Sequence, residues 1–380
     1  MDFALTDEQQ DFVAAIRDFC DRECGTPDQR ERLTDGYREH HSAEIYDQMA
    51  EVGWLGVTIP EEYGGSGGSM LDACLFMEES SRGLAPISGY ATTLIVAGAT
   101  QRFGTEEQKQ KILGGIASGS VEAIAMTEPE AGSDVGALAC KAEAVDGGFV
   151  LNGQKVFCSN AHISDHVLVV CRTTRGADKH AGMTMLWVPR DAEGMEVVPI
   201  ETMGGRETNH LYFTDCAARG EDVLGEVDQG WTQLMAGLNV ERLILAATML
   251  GIAQRAFDDL LLYVKERRQF DRPIGSFQAL QHRIADLATD LEAARLMTRW
   301  VATLVDEDPD RMLPQQASMV KLFVTEVAKR TTLEGMQMMG GYGYSSEYDM
   351  ERLVRATLVS TIYGGTSEIQ RTIIAKTLGL

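Results

Sequence analysis

Four segments of this chain carry side chains suited to chemistry. In Met126-Thr127-Glu128-Pro129-Glu130-Ala131-Gly132-Ser133-Asp134, Gly132 permits close backbone approach to a ligand. The hydroxyls of Thr127 and Ser133 can donate to ligand oxygens such as those of a phosphate, although alone such a run also reads as a plain turn. In Glu266-Arg267-Arg268-Gln269-Phe270-Asp271-Arg272-Pro273-Ile274-Gly275-Ser276-Phe277-Gln278, Arg267 offers a planar fork that pairs with two oxygens of a pyrophosphate. The same segment also reads as a charged helix end followed by a turn. In Leu238-Asn239-Val240-Glu241-Arg242-Leu243-Ile244-Leu245-Ala246, Glu241 opens an apolar helix, where desolvation raises a carboxylate pKa and improves it as a base at neutral pH. The competing reading is a structural ion pair with Arg242, which points to another helix face. Gln337-Met338-Met339-Gly340-Gly341-Tyr342-Gly343-Tyr344 reads unaided as a helix C-cap. The Gly-rich run Tyr63–Gly68 lacks the Lys of a P-loop and reads as a connector. The seven cysteines form no Cys-x-x-Cys, and among the seven histidines His162 and His166 alone have His-x₃-His spacing, so no metal site is predicted.

These groups need a large frame, and 380 residues supply more than one domain. Apolar content of 44% and charged content of 24% are ordinary for a globular chain. The formal charge of −23 argues against a nucleic-acid or anionic-membrane surface and reads as a solvated exterior. Scattered cysteines in odd number suit reduced thiols of a cytoplasm, and Cys20 and Cys24, one helical turn apart, read as packing. The N-terminal segment Met1–Glu8 has neither the basic nor the apolar region of a signal peptide. No run of 18 apolar residues occurs, so no membrane span is predicted.

Helical texture opens the chain, with Phe12, Val13, Ile16 and Phe19 on one face and Thr6 with Gln9 as a capping-box candidate. Strand texture follows: Val121–Thr127, His166–Cys171, Met183–Val188 and Leu211–Phe213, with Asp146-Gly147-Gly148 and Asn152-Gly153 as hairpin turn signals. Lys155-Val156-Phe157-Cys158-Ser159-Asn160 reads from its residues as a strand with Phe157 in the core. Leu243–Phe257, Phe277–Leu304 and Gln315–Met339 return to helical patterns. Helices, then strands, then helices predict an α+β fold with segregated elements.

The segment Ile362-Tyr363-Gly364-Gly365-Thr366-Ser367-Glu368-Ile369-Gln370-Arg371 closely resembles the C-terminal signature of the acyl-CoA dehydrogenase family. Many members read Ile-Tyr-Glu-Gly-Thr there, with that Glu as catalytic base; this chain has Gly364. A minority branch, resembling isovaleryl-CoA and long-chain acyl-CoA dehydrogenases, carries its base in a Glu-Arg-Leu helix and a small residue at the vacated position. The resemblance therefore implies Glu241 as the base. It covers essentially the whole chain and implies an N-terminal helical domain (1–121), a central antiparallel β domain (122–228) and a C-terminal four-helix bundle (229–380).

The resemblance also implies FAD as cofactor. Met126, Thr127, Gly132 and Ser133 would border it, with Ser133 also near the thioester. The strand 155–160 resembles the family's Lys-x-Trp-Ile-Thr-Asn, so Phe157 would pack on the isoalloxazine in place of Trp, and Ser159 would reach flavin N5 in place of Thr. Arg267, Phe270, Phe277 and Gln278 would grip FAD from a neighbouring subunit. Gln337, Gly340 and Gly341 would border its adenosine, and Thr366, Ser367 and Glu368 would complete the cofactor contacts. Asn239, Arg242 and Gly364 would face substrate, the Gly364 N–H polarising the thioester carbonyl together with a ribityl hydroxyl. Asp271 stands where many members have Gly, and Ala356 where the family usually shows Asp. The implied reaction is α-proton abstraction from an acyl-CoA thioester and β-hydride transfer to the flavin, giving a trans-2-enoyl-CoA, as in fatty-acid β-oxidation. An electron-transfer flavoprotein would accept the electrons, and the expected assembly is a cytoplasmic homotetramer, a dimer of dimers. Alternatives are a flavin oxidase or enoyl-thioester reductase on the same fold, a non-catalytic partner subunit, and a carrier-protein thioester as substrate.

Overall fold

The computed structural model describes residues 4–176 and 178–380; residues 1–3 of the segment read as lacking a leader lie outside the described residues. Helices α1 (Asp7–Cys24), α2 (Met70–Arg82) and α3 (Gly89–Phe103) precede the strands β1 (Glu122–Ala125), β2 (Lys141–Val145), β3 (Gly148–Ser159), β4 (His166–Arg172), β5 (Met183–Pro189), β6 (Met195–Thr202), β7 (Gly205–Arg219) and β8 (Val223–Leu224). Then follow α4 (Gly230–Glu266), the hairpin β9 (Arg268–Gln269) and β10 (Arg272–Pro273), α5 (Gln278–Glu307), α6 (Pro314–Met339), α7 (Met350–Leu358) and α8 (Ser367–Thr377), with shorter helical turns between. The predicted α+β order is the order found. The described residues form two compact units: 31–68, 86–176 and 178–241 make one built on the sheet, and 4–30, 69–85 and 242–380 make a helical one.

The sheet runs β6-β7-β3-β2-β4-β5-β8, mostly antiparallel, with β1 joining β4 in parallel. Strands β4 and β5 are buried along nearly their whole length because both their faces are covered. Leu168, Val170, Met183 and Met185 pack with helix residues such as Val96 and Ile112 on one side. Val167, Val169, Leu186 and Val188 pack with Phe149, Leu211 and Phe213 on the other. The predicted turn Asp146-Gly147 joins β2 to β3, with Val145 paired to Gly148. The second predicted turn does not form. Asn152-Gly153 lies inside β3, where Gly153 at φ +146° takes up a bulge against β7. Asn152 is held there by reciprocal bonds with Asp215 of 3.0 and 2.9 Å. A bulge needs the same permissive residue as a turn, and sequence alone does not separate them.

In the helical unit, the predicted capping box of Thr6 and Gln9 starts α1. Cys20 and Cys24 are buried, and a Cβ on Gly83 would fall 2.4 Å from that of Cys20, so α1 packs against the end of α2. Gly251 of α4 meets α2 closely, for a Cβ there would lie 2.0 Å from the Glu78 carbonyl. Arg355 finds a carboxylate one turn back, bonding Glu351 at 2.8 and 2.9 Å, although Ala356 replaces the usual acid. Among the described residues, α4 alone is long and apolar enough to cross a membrane, and 62% of that window is buried inside the fold. No span is evident.

One buried ion pair ties the loop after β1 to β3. Lys155 is 0% exposed; its Nζ donates to Glu128 Oε1 at 2.7 Å and to the Met126 carbonyl at 3.0 Å. Glu128 also accepts the backbone N–H of Ala139 at 2.6 Å and of Cys140 at 2.9 Å. Both charges are therefore hydrogen-bonded as well as paired, the condition under which a buried pair holds a geometry. Removing the cation should strand the carboxylate. Lys155→Met is expected to lose about 3–5 kcal/mol of stability in urea denaturation, and adding Glu128→Gln to recover part of it. An unchanged denaturation midpoint in the single variant would show that the pair does not hold this loop.

Candidate active site

The loop and strand joined by that pair build one polar face of the sheet unit. Val156 N–H donates to the Thr127 carbonyl at 2.9 Å, and Glu128 and Ala131 exchange backbone bonds of 3.1 and 3.0 Å around Pro129-Glu130. This tight turn delivers Gly132 and Ser133 to the surface. Gly132 has no positive φ, and a Cβ there would meet nothing within 4 Å. The chain itself therefore does not demand glycine at 132, which fits a position kept clear for a ligand.

On β3 the register shifts between Lys155 and Cys158. At that bulge Phe157 adopts φ +56° and stands 63% exposed, not in the core as its residue pattern allowed. A bulky residue in left-handed backbone costs about 1–3 kcal/mol and persists only where neighbours over-determine it. Those neighbours are identifiable. Lys155 and Val156 anchor the strand on one side. On the other, Asn160 accepts the Ser88 hydroxyl at 2.9 Å and donates to the Ser88 carbonyl at 3.1 Å. Ser159 is exposed, while Cys158 between it and Phe157 turns inward. Burial pushes Cys158 up to about 12 and Cys140 to about 11, so both remain thiols. Lys155, Glu128 and Asn160 had no role in the sequence reading. The signal for Lys155 was a charged side chain within a strand pattern, whereas Glu128 and Asn160 lie in the loop after β1 and the turn after β3.

Asn239, Glu241 and Arg242 lie on α4 and are 6, 7 and 8% exposed. The burial expected for Glu241 from its apolar helix is present. In the C-terminal loop, Gly364 and Gly365 take φ +58° and +81°. A side chain at 364 would meet the left-handed penalty of about 1–2 kcal/mol. Gln370 Nε2 donates to both their carbonyls at 2.9 Å, and Lys321 Nζ donates to that of Gly365 at 2.9 Å. Thr366 caps α8 by accepting Ile369 N–H at 3.2 Å. Ser367 turns inward and is buried, whereas Glu368 is exposed. Its own backbone N–H, followed by the Thr366 hydroxyl, holds the Glu368 carboxyl below its usual range.

The hairpin β9–β10 closes through a two-residue loop, Phe270-Asp271, at φ +53° and +61°. Positive φ at both central residues is the type I′ pattern, in which Asp or Gly is favoured. Asp271 therefore keeps the turn that Gly would make. Phe270 stands 87% exposed at its tip, edge-on to Phe277 at 6.0 Å, and the Arg272 guanidinium lies 3.9 Å over the Phe277 ring. Arg267 lies 5.5 Å over Tyr342. That contact brings Arg267 to the segment holding Gln337, Gly340 and Gly341, all exposed, as is Gln278 at the start of α5. A Cβ on Gly341 would meet nothing within 4 Å.

The acyl-CoA dehydrogenase N-terminal, middle and C-terminal domain families match residues 6–120, 123–216 and 228–379. The probable acyl-CoA dehydrogenase YngJ of Bacillus subtilis is 36% identical over 384 residues, covering 100% of both chains. Isovaleryl-CoA dehydrogenase of Solanum tuberosum is 39% identical over 88% of this chain and 82% of its own. The caffeyl-CoA reductase-Etf complex subunit CarC of Acetobacterium woodii is 36% identical over 97% of each. The crystal structure of an acyl-CoA dehydrogenase from Geobacillus kaustophilus superimposes with a TM-score of 0.92 at 33% identity, over 100% of each chain. An FAD complex of PigA gives 0.92 at 27% identity, also over 100% of each. The chain is an oxidoreductase acting on CH–CH groups and belongs to the acyl-CoA dehydrogenase family.

Proposed function

We propose that the protein is an FAD-dependent acyl-CoA dehydrogenase whose catalytic base is Glu241. The observation that carries this reading is the pairing of a carboxylate-free, left-handed loop at Gly364 with a buried carboxylate at Glu241. An α-proton of a thioester is too weakly acidic for a carboxylate in water, so the site must exclude water and polarise the carbonyl. Burial of Glu241 serves the first need. The Gly364 backbone N–H serves the second, and it needs no side chain. Arg242, buried next in sequence, and Asn239 shape the substrate side of the same helix.

Bound FAD supplies the acceptor for the β-hydride. Thr127, Gly132, Ser133, Phe157 and Ser159 are the residues that would hold its flavin end, with Met126 behind them. Phe157 offers a ring face and Ser159 a hydroxyl on the same exposed side of β3. Arg267, Phe270, Phe277 and Gln278, with Gln337, Gly340 and Gly341, would hold a pyrophosphate and adenosine end, and Thr366, Ser367 and Glu368 belong to the same set. In this proposal the helical residues serve the cofactor of a second copy within a homotetramer. The apolar groove lined by Phe257, Leu261, Val264 and Ile284 supports burial against another copy. Electrons pass on to an electron-transfer flavoprotein, and the seven free cysteines suit a cytoplasmic protein. A second reading is supported by the relative named as a caffeyl-CoA reductase subunit. Run in reverse, protonated Glu241 would deliver a proton to the α-carbon of an enoyl thioester.

Anaerobic mixing with a panel of acyl-CoA thioesters should bleach the flavin. Bleaching by none of them, with reoxidation of reduced protein by an enoyl-CoA, would favour the reductase reading. Glu241→Gln should keep FAD but slow flavin reduction by about 10²–10⁴-fold. Near-normal reduction in that variant would sink the assignment.

Arg267→Ala should weaken both FAD retention and assembly, because each stabilises the state the other binds. Light scattering on the FAD-loaded protein reads the assembly, and the flavin absorbance per chain reads the retention. A stable monomer carrying one tightly bound FAD per chain would overturn the shared site.

A further inference from the structure

We propose that Lys321 and Gln370 are positioning residues that aim the Gly364 N–H at the substrate carbonyl. The inference rests on the dehydrogenase reading above and adds to it two residues outside the signature glycines. Successive glycines form the most freely rotating dipeptide a chain can contain, and an oxyanion donor works only when it is preorganised. In this loop the freedom is removed from outside. Gln370 is 0% exposed, and its Nε2 donates to the carbonyls of both Gly364 and Gly365 at 2.9 Å. Lys321 is 0% exposed, and its ammonium donates to the Gly365 carbonyl at 2.9 Å.

Three donor contacts thus converge on two adjacent carbonyls. They fix the peptide planes on either side of Gly365. The Gly364 N–H is then separated from a fixed plane only by rotation about its own φ and ψ. Enlarging Gly365 would displace this donor, since a Cβ there would lie 2.7 Å from Gln370 Nε2 and the residue has φ +81°. The Gln370 amide orientation is also forced, because its oxygen placed against two carbonyls would repel both. The ammonium makes one of the three contacts charge-assisted, roughly twice the strength of a neutral bond. Both clamping side chains come from helices already packed together, Lys321 from α6 and Gln370 from α8. The Thr325 hydroxyl bonds back to the Lys321 carbonyl at 2.8 Å, tightening the turn of α6 that carries it.

The test uses Lys321→Met and Gln370→Leu in the FAD-loaded protein, with two unreactive ligands of one chain length: the 2-enoyl-CoA and the S-alkyl-CoA thioether, which lacks the carbonyl. Both variants should retain FAD. Lys321→Met should weaken enoyl-CoA binding by about 10-fold and slow flavin reduction by about 10–100-fold, the scale of a slightly misplaced group. Thioether binding should change by less than about twofold, because loss of one carbonyl-directed donor does not touch it. The ultraviolet band of the bound enoyl thioester, which reports the pull on its carbonyl, should move back towards its position in water. Gln370→Leu should show the same selectivity. If Lys321→Met does not fold, Gln370→Leu decides alone. Equal loss for both ligands, or no loss, would overturn the clamp. Failure of the dehydrogenase reading looks different: wild-type protein would neither bleach with any acyl-CoA nor prefer enoyl-CoA over the thioether, and the clamp would fall with it.

Discussion

The buried pair of Lys155 and Glu128 is the interaction on which the polar face of the sheet unit depends. Burying an ammonium and a carboxylate is costly, and a pair of this kind holds a geometry when further hydrogen bonds support both charges. Here the carboxylate takes two further N–H groups from the far end of its own loop, and the ammonium takes a carbonyl from the near end. The pair therefore closes residues 126–140 against β3 as a ring. Every residue proposed to meet the flavin from this unit sits on that ring or on the strand segment it grips.

Strain shows where the frame does more than pack. Left-handed backbone alone marks nothing, for Tyr37 and Leu84 also have positive φ and are partly buried. Phe157 and Phe270 differ in combining a bulky ring, positive φ and large exposure. Folding gains nothing from such a residue, since it bears strain and leaves apolar surface in water. Both become sensible if each ring has a partner outside its own unit, and the family reading gives both the same kind of partner.

The sequence was legible wherever a local rule had a single structural answer. Thr6 with Gln9 could only cap a helix, and Asp146-Gly147 between alternating runs could only turn. It was illegible where one residue type serves two geometries, as at Asn152-Gly153, where a bulge stands in place of a turn. At Phe157 the aromatic character alone reads as core, whereas the resemblance sets the ring against a cofactor, and the register shift beside it turns the ring outward. The positioning residues Lys155, Glu128, Lys321 and Gln370 stayed silent because their partners are backbone atoms or lie far along the chain. Asp271 changed meaning entirely, from an unexplained departure to a residue that fits the left-handed corner of its turn.

Moving a catalytic carboxylate from one element to another changes what each element must supply. A loop that carries a base has to control a side chain with several rotatable bonds. A loop that carries only a backbone donor has to control two dihedral angles, and glycine makes those angles accessible while leaving them loose. Around Gly364, buried donors hold the two carbonyls that follow it, so that only its own φ and ψ lie between its N–H and a held peptide plane. The proposed base Glu241 answers the first problem differently, from a long helix on which Asn239 and Arg242 are also buried. A helix holds a side chain's origin far more rigidly than a glycine loop does. In the proposed assignment, a base on α4 and a backbone N–H in the loop give each element the task its own stiffness allows.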